Sequence, residues 1–233
     1  LYKAIWSYAW QAPAYTALAE IDCHRGDFER ARDHLNRALR TNTFNMRARN
    51  LKTAVLRHLG RFDEAAAMTC ETVEMDPLDM ASRNELVLIS RAQDKPLAAE
   101  SQLAELTALL DVSDALSKVQ SYLDMAHDYA NAGLWGEAFD LLGRLAGGDY
   151  VFPTVLYAMA YAQHQLGQDE EAEVLLARAA EMPTDYCFPE RLEAMLALAY
   201  AQSVRPDDAK VAYYLGNLYY DKQRYDEAIA QWR

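Results

Sequence analysis

Apolar residues along this chain recur three and four positions apart, in blocks of helical length separated by short polar turns. That spacing gathers the apolar side chains on one face of a helix. The blocks come in pairs, and between the members of each pair stands Gly26, Gly60, Asp94, Gly133 or Gly167. Successive turn residues lie 34, 34, 39 and 34 positions apart. A unit of two helices and a turn is therefore predicted five times over, with a sixth beginning near residue 209. Apart from the Val-Leu-Ile cluster at 86–89, β-branched runs are scarce, while Ala, Leu, Glu and Arg dominate, so the fold class predicted is all-α.

Counting each turn residue as the fifteenth of its repeat brings the other positions into register. Two places on comes Phe28, Phe62 or Trp135 (Asp169 in the fifth repeat), and five places on a small residue: Ala31, Ala65, Ala138, Ala172. The next core slot holds Leu35, Thr69, Leu103, Leu142 and Leu176, and the one after it Ala38, Thr72, Leu106, Leu145 and Ala179. Small residues let the paired helices approach, large ones fill the gap to the next pair, and a turn glycine takes the left-handed conformation that ends the first helix. Pro77 stops the second repeat. The last repeat is clearest, with Tyr214-Leu215-Gly216-Asn217-Leu218-Tyr219 followed by Arg224-Tyr225-Asp226-Glu227-Ala228-Ile229.

This pattern resembles the tetratricopeptide repeat (TPR) over nearly the whole chain. The resemblance implies a right-handed superhelical α-solenoid that binds a protein or peptide along a concave groove lined by the first helices. It divides the chain into the end of a preceding repeat (1–11), repeats one to three (12–113), repeats four and five (114–186), an unpaired inserted helix (187–208, helical over 190–204) and a partial sixth repeat (209–233). Residues 114–118 are five extra positions expected to lengthen the connection into repeat four. Leu1 in place of a start methionine, and Trp232-Arg233 inside a helix, mark a segment expected to be cut from a longer chain.

Composition narrows the function classes. Of 233 residues 52% are apolar, enough for a large core, and the net charge of −12 argues against nucleic acid as a partner. No apolar run reaches the roughly 20 residues needed to span a bilayer, so no membrane partner is expected. Cys23, Cys70 and Cys187 have no metal-ligand spacing and read as buried free thiols, consistent with a cytoplasmic chain. No cofactor, metal or catalytic set is expected. Arg25-Gly26-Asp27 and Gly147-Gly148-Asp149 are explained as turn residues, and His34 is expected on an exposed second-helix face. The chain is accordingly read as a non-enzyme.

The groove positions predict the candidate site. In repeats one to three they include Arg25, Arg47, Asn50, Arg57, His58 and Arg91; in repeats four to six His127, Tyr157, Tyr161, His164, Tyr213, Asn217 and Tyr220. An acidic protein is thus expected to offer a groove basic at one end and aromatic at the other, suited to a partner segment with carboxylates and apolar side chains. Arg47, Arg57 and Arg91 are the expected anion-binding group. A solvated face whose arginines pair with neighbouring carboxylates is the competing reading. The Lys and Asn clamp of chaperone-binding TPR domains is replaced by Thr16/Glu20, Leu51 and Ala81/Glu85, which disfavours that partner.

The opening Tyr2-Lys3-Ala4-Ile5-Trp6-Ser7-Tyr8-Ala9-Trp10, the Asp185–Glu193 stretch and Tyr213-Tyr214-Leu215-Gly216-Asn217 resemble large bacterial proteins in which a β-sandwich domain of unknown function precedes C-terminal TPRs. Some of these resemble carbohydrate-processing systems. The resemblance implies an array that packs on its own N-terminal domain, with Trp6, Tyr8 and Trp10 as the rings to watch.

Overall fold

A computed structural model describes residues 1–145, 152–184, 188–189 and 191–233. Those residues form helices and no strand, and they divide into two compact units. The first comprises Leu1–Asp114 and Asn131–Leu134. It holds a short 3-10 turn, Ala4–Trp6, then α1 (Tyr8–His24), α2 (Phe28–Thr41), α3 (Met46–His58), α4 (Phe62–Met75), α5 (Met80–Ala92) and α6 (Pro96–Leu110). Helices pair as α1 with α2, α3 with α4 and α5 with α6, and α2 packs on α3 and α4 on α5.

The local chemistry explains these boundaries. Gly26, Gly60, Gly133 and Gly167 all have φ between +71° and +77°, and Asp94 takes the same left-handed region at +54°. No atom would crowd a Cβ at Gly60, so glycine is there for its backbone conformation and not for space. Asp27, Asn45 and Asp79 accept hydrogen bonds from the backbone N–H groups of Arg30, Ala48 and Ser82, capping α2, α3 and α5. Pro96 opens α6, where its missing N–H costs nothing.

The core slots fall where the repeat register places them. Ala31, Leu35, Ala38, Ala65, Thr69, Thr72, Ala99 and Leu106 are buried; Leu103 alone of the first unit's slots is half-buried. The two threonines are accommodated because their hydroxyls donate to the carbonyls of Ala65 and Met68.

The second unit, Ala115–Ala130 with Trp135–Arg233, holds nearly all of α7 (Ala115–Asn131), then α8 (Trp135–Gly143), α9 (Pro153–Gln165), α10 (Asp169–Glu181), α11 (Leu192–Val204), α12 (Ala209–Asp221) and α13 (Tyr225–Trp232). Its core includes Ala138, Leu142, Ala172, Leu176 and Ala179.

Three differences from expectation have physical reasons. Residues 115–118 do not form a connection; they extend α7 at its N-terminus, because Ala-Leu-Ser-Lys continues a helical pattern without a breaker. Residues 8–11 form the start of α1 and not the tail of an earlier helix. The inserted helix begins at Leu192, with Glu190 outside the described residues. Among the described residues it is packed: α11 lies against both α9 and α12, the place beside the next first helix that a second helix takes elsewhere.

Candidate functional site

In the first unit the exposed sides of α1, α3 and α5 carry the candidate basic residues. Arg25 and Arg91 are exposed, as is His58, whose ring stacks on Phe28 with centroids 4.6 Å apart. Arg47 reaches back to Glu20 of α1 at 2.8 Å. Asn50 donates to both carboxylate oxygens of Asp79 at 3.0 Å and accepts from the Ser82 hydroxyl at 2.6 Å. Arg57 holds Glu85 through two hydrogen bonds of 2.9 and 3.3 Å, and their side chains are only 11% and 1% exposed. Successive first helices are therefore tied by polar rungs: α1 to α3 through Glu20 and Arg47, and α3 to α5 through Asn50 and Arg57.

This arrangement corrects the expectation of Arg47, Arg57 and Arg91 as a common anion-binding group. Two of the three already hold a carboxylate, so their charge is compensated within the chain. Glu85 stands where a clamp would need a cation, and Glu20 where it would need an asparagine.

A further cation was not singled out by the repeat register. Arg49, 3% exposed, donates through Nε to the Thr72 hydroxyl at 2.8 Å and through Nη2 to Glu71 at 3.0 Å. The polar Thr72 in an otherwise apolar slot was its signal: a buried guanidinium needs acceptors.

In the second unit the aromatic positions are mostly covered. Tyr157 is 1% exposed; its hydroxyl donates to Asp208 at 2.8 Å and its ring packs edge-on to Tyr214. Burial and the Asp208 hydrogen bond raise its pKa. Tyr161 meets Trp135 edge-on and lies 5.9 Å from the Tyr200 ring, and His164 stacks on Tyr200 at 4.2 Å. Since Tyr200 belongs to α11, that helix covers the exposed side of α9. Immediately before it, Arg191 ion-pairs with Asp124 and Asp128 of α7 and with Glu193. His127 is 9% exposed, its Nδ1 has no hydrogen-bond partner, and burial pushes its pKa down to about 4. As surface contacts for a partner, His127 and Tyr157 are thus corrected to interior groups. Tyr213 and Tyr220 on α12 remain exposed, with Asn217 half-buried between them.

Residues set aside in the sequence also changed place. His34 is buried, its Nδ1 2.7 Å from Asp22 Oδ2, so it ties α2 to α1 and is not exposed. Cys23 is buried as expected and its thiol is pushed up to about 12, chiefly by burial; Cys70 is exposed on α4, and Cys187 lies outside the described residues. Among the described residues no three His, Cys, Asp or Glu side chains gather to hold a metal, and no helix is long and apolar enough to cross a membrane. At the N-terminus Trp6, Tyr8 and Trp10 are 90%, 75% and 63% exposed.

The family model of the tetratricopeptide repeat matches residues 17–79 and 188–232. The first segment runs from within α1 past the end of α4; the second takes in α11, α12 and α13. No curated protein gives a significant match to the chain. Repeats of this kind generally mediate protein–protein interaction. The helices between the two matched segments keep the same turn and core positions, and the all-α fold of helices packed in successive pairs is consistent with a tetratricopeptide-repeat solenoid.

Proposed function

We propose that this chain is a non-catalytic scaffold that holds a segment of a protein partner along the first-helix face of its first unit. The observation that carries this is the row of polar side chains on α1, α3 and α5, locked by the Glu20–Arg47, Asn50–Asp79 and Arg57–Glu85 rungs. Side chains fixed before a partner arrives lose less entropy when it binds. Arg25 and Arg91 stand exposed beside this row and offer donors to a segment bearing carboxylates. In the second unit Tyr213, Asn217 and Tyr220 offer a separate, aromatic surface.

Selection from a random peptide display library tests the reading. Selected peptides should be enriched in Asp and Glu and should lose binding to the Arg25→Glu/Arg91→Glu variant. Peptides that bind this variant as tightly as the parent chain would refute it.

A second reading, that the array packs against a β-sandwich domain of the same chain, is favoured by the exposed rings of Trp6, Tyr8 and Trp10. In a chain carrying such a domain, hydroxyl-radical footprinting should find all three protected. Full reactivity there would count against this reading and leave the scaffold reading untouched.

A further inference from the structure

Exposed large apolar side chains in the first unit follow the repeat. Phe44, Leu78 and Val112 stand 34 residues apart, each in the connection that follows a second helix (α2, α4 and α6), and are 71%, 66% and 85% exposed. Trp10, at 63%, falls one further interval before them, on the first turn of α1. Single apolar residues on a surface need no explanation, but a row at the interval of the fold does. Local structure does not supply one. An apolar residue just before a helix cap commonly packs on the fourth residue of that helix. For Phe44 and Leu78 those residues are Arg49, which donates to Thr72 and Glu71, and Arg83, which donates to the Pro77 carbonyl. Both apolar side chains stay exposed.

Backbone chemistry and spacing narrow the occupant. The N–H groups of Phe44 and Leu78 donate to Asn42 Oδ1 and Asp76 Oδ1 at 3.1 and 3.0 Å, so neither is open for pairing with an extended strand. A partner whose own backbone bonds are closed, an α-helix, suits the row. The first helices α3 and α5, which begin just after Phe44 and Leu78, pack on each other. Packed helices lie about 8–10 Å apart, and seven residues of α-helix rise about 10.5 Å, so one apolar residue in seven keeps step with the row. Charge sets one flank. Glu74, Asp76 and Asp79 stand near Leu78 in the chain against one cation, Arg83, which favours Lys or Arg beside the partner's middle apolar residue. The same acidity repels the anionic headgroups of a bilayer.

We propose that this edge docks an amphipathic helix of a partner protein, with apolar residues at seven-residue intervals on Phe44, Leu78 and Val112 and basic residues beside the one that meets Leu78. Connections form this edge, whereas the face offered to an acidic segment is formed by α1, α3 and α5. Either surface can fail without the other.

The test uses the whole chain and fluorescein-labelled Ala-Lys helical peptides, followed by fluorescence anisotropy. One peptide carries three Leu residues at every seventh position. A second carries them at every fifth, which spreads them around the helix, and a third keeps the first spacing with Glu in place of Lys. The first should bind saturably, the third more weakly, and the second not at all. Phe44→Ser/Leu78→Ser should weaken binding by roughly tenfold or more with the melting curve retained, since two contacts are lost from exposed positions. Val112→Ser, in a separate connection, carries the test if the double variant does not fold. Leu97→Ser, which removes a side chain 81% exposed at the start of α6 and off the row, should change nothing. No saturable binding, equal binding of the first two peptides, an equal loss with Leu97→Ser, or binding unaffected by the row substitutions would overturn the proposal. So would self-association of the parent chain, or its binding to phosphatidylcholine–phosphatidylserine vesicles, if the row substitutions abolished it, because the row would then serve a second copy or a bilayer.

Discussion

The Arg57–Glu85 rung makes a quantitative prediction. Arg57 of α3 and Glu85 of α5 meet through two hydrogen bonds, and the Glu85 side chain is 1% exposed. An exposed ion pair contributes at most about 1 kcal/mol, whereas removing one partner of a buried pair costs about 3–5 kcal/mol because the other charge stays buried. Arg57→Met keeps the aliphatic stem and removes the guanidinium. With a urea m-value of about 2 kcal/mol/M, the unfolding midpoint should fall by roughly 1.5–2.5 M. The Arg57→Met/Glu85→Leu double variant should recover much of that loss, since replacing both charges removes the orphan. Circular dichroism during urea titration measures both. A single-variant shift below about 0.5 M, corresponding to roughly 1 kcal/mol, would show an ordinary surface pair and refute the reasoning.

Other outcomes follow from single sites. Gly60→Val should lower stability by about 1–2 kcal/mol through the left-handed backbone alone, since no neighbour crowds the new side chain; thermal melts report it. His127 is neutral when folded, with its pKa near 4 against an ordinary 6.5. The unfolded chain therefore takes up the proton first as pH falls, and stability should drop by about 3 kcal/mol between pH 6.5 and 4. In His127→Phe that slope should flatten, as measured by denaturation at pH 7 and pH 4.5. Iodoacetamide mapping should modify Cys70 rapidly in the folded chain, while Cys23 reacts only on unfolding. Tyr200→Ala removes the ring stacked on His164 and near Tyr161, and should speed hydrogen exchange in α11 without changing that in α1 to α6.

The parts of the fold written in local chemistry were legible in the sequence. The turn residues announced themselves by spacing, and each glycine proved to need its positive φ; even Asp94, the one non-glycine among them, adopts the same backbone region. Alanines five places beyond each turn are buried because that slot depends only on how two adjacent helices approach. What the chain does with its polar groups was harder to see. Arg47 and Glu20, or Arg57 and Glu85, stand about a repeat apart, and register alone shows that they share a face without showing that they join. His34 read as exposed because its helix face is polar, but Asp22 on the preceding helix draws it inward. The course of α11 was similarly hidden: its Ala and Leu spacing marks a packed helix, whereas the stacking of Tyr200 on His164 depends on a connection that obeys no repeat.

Hydrogen exchange of the chain with and without a selected acidic peptide tests the scaffold reading most directly. Exchange should slow on α1, α3 and α5, with α2, α4 and α6 unchanged. Protection confined to the second helices would contradict it.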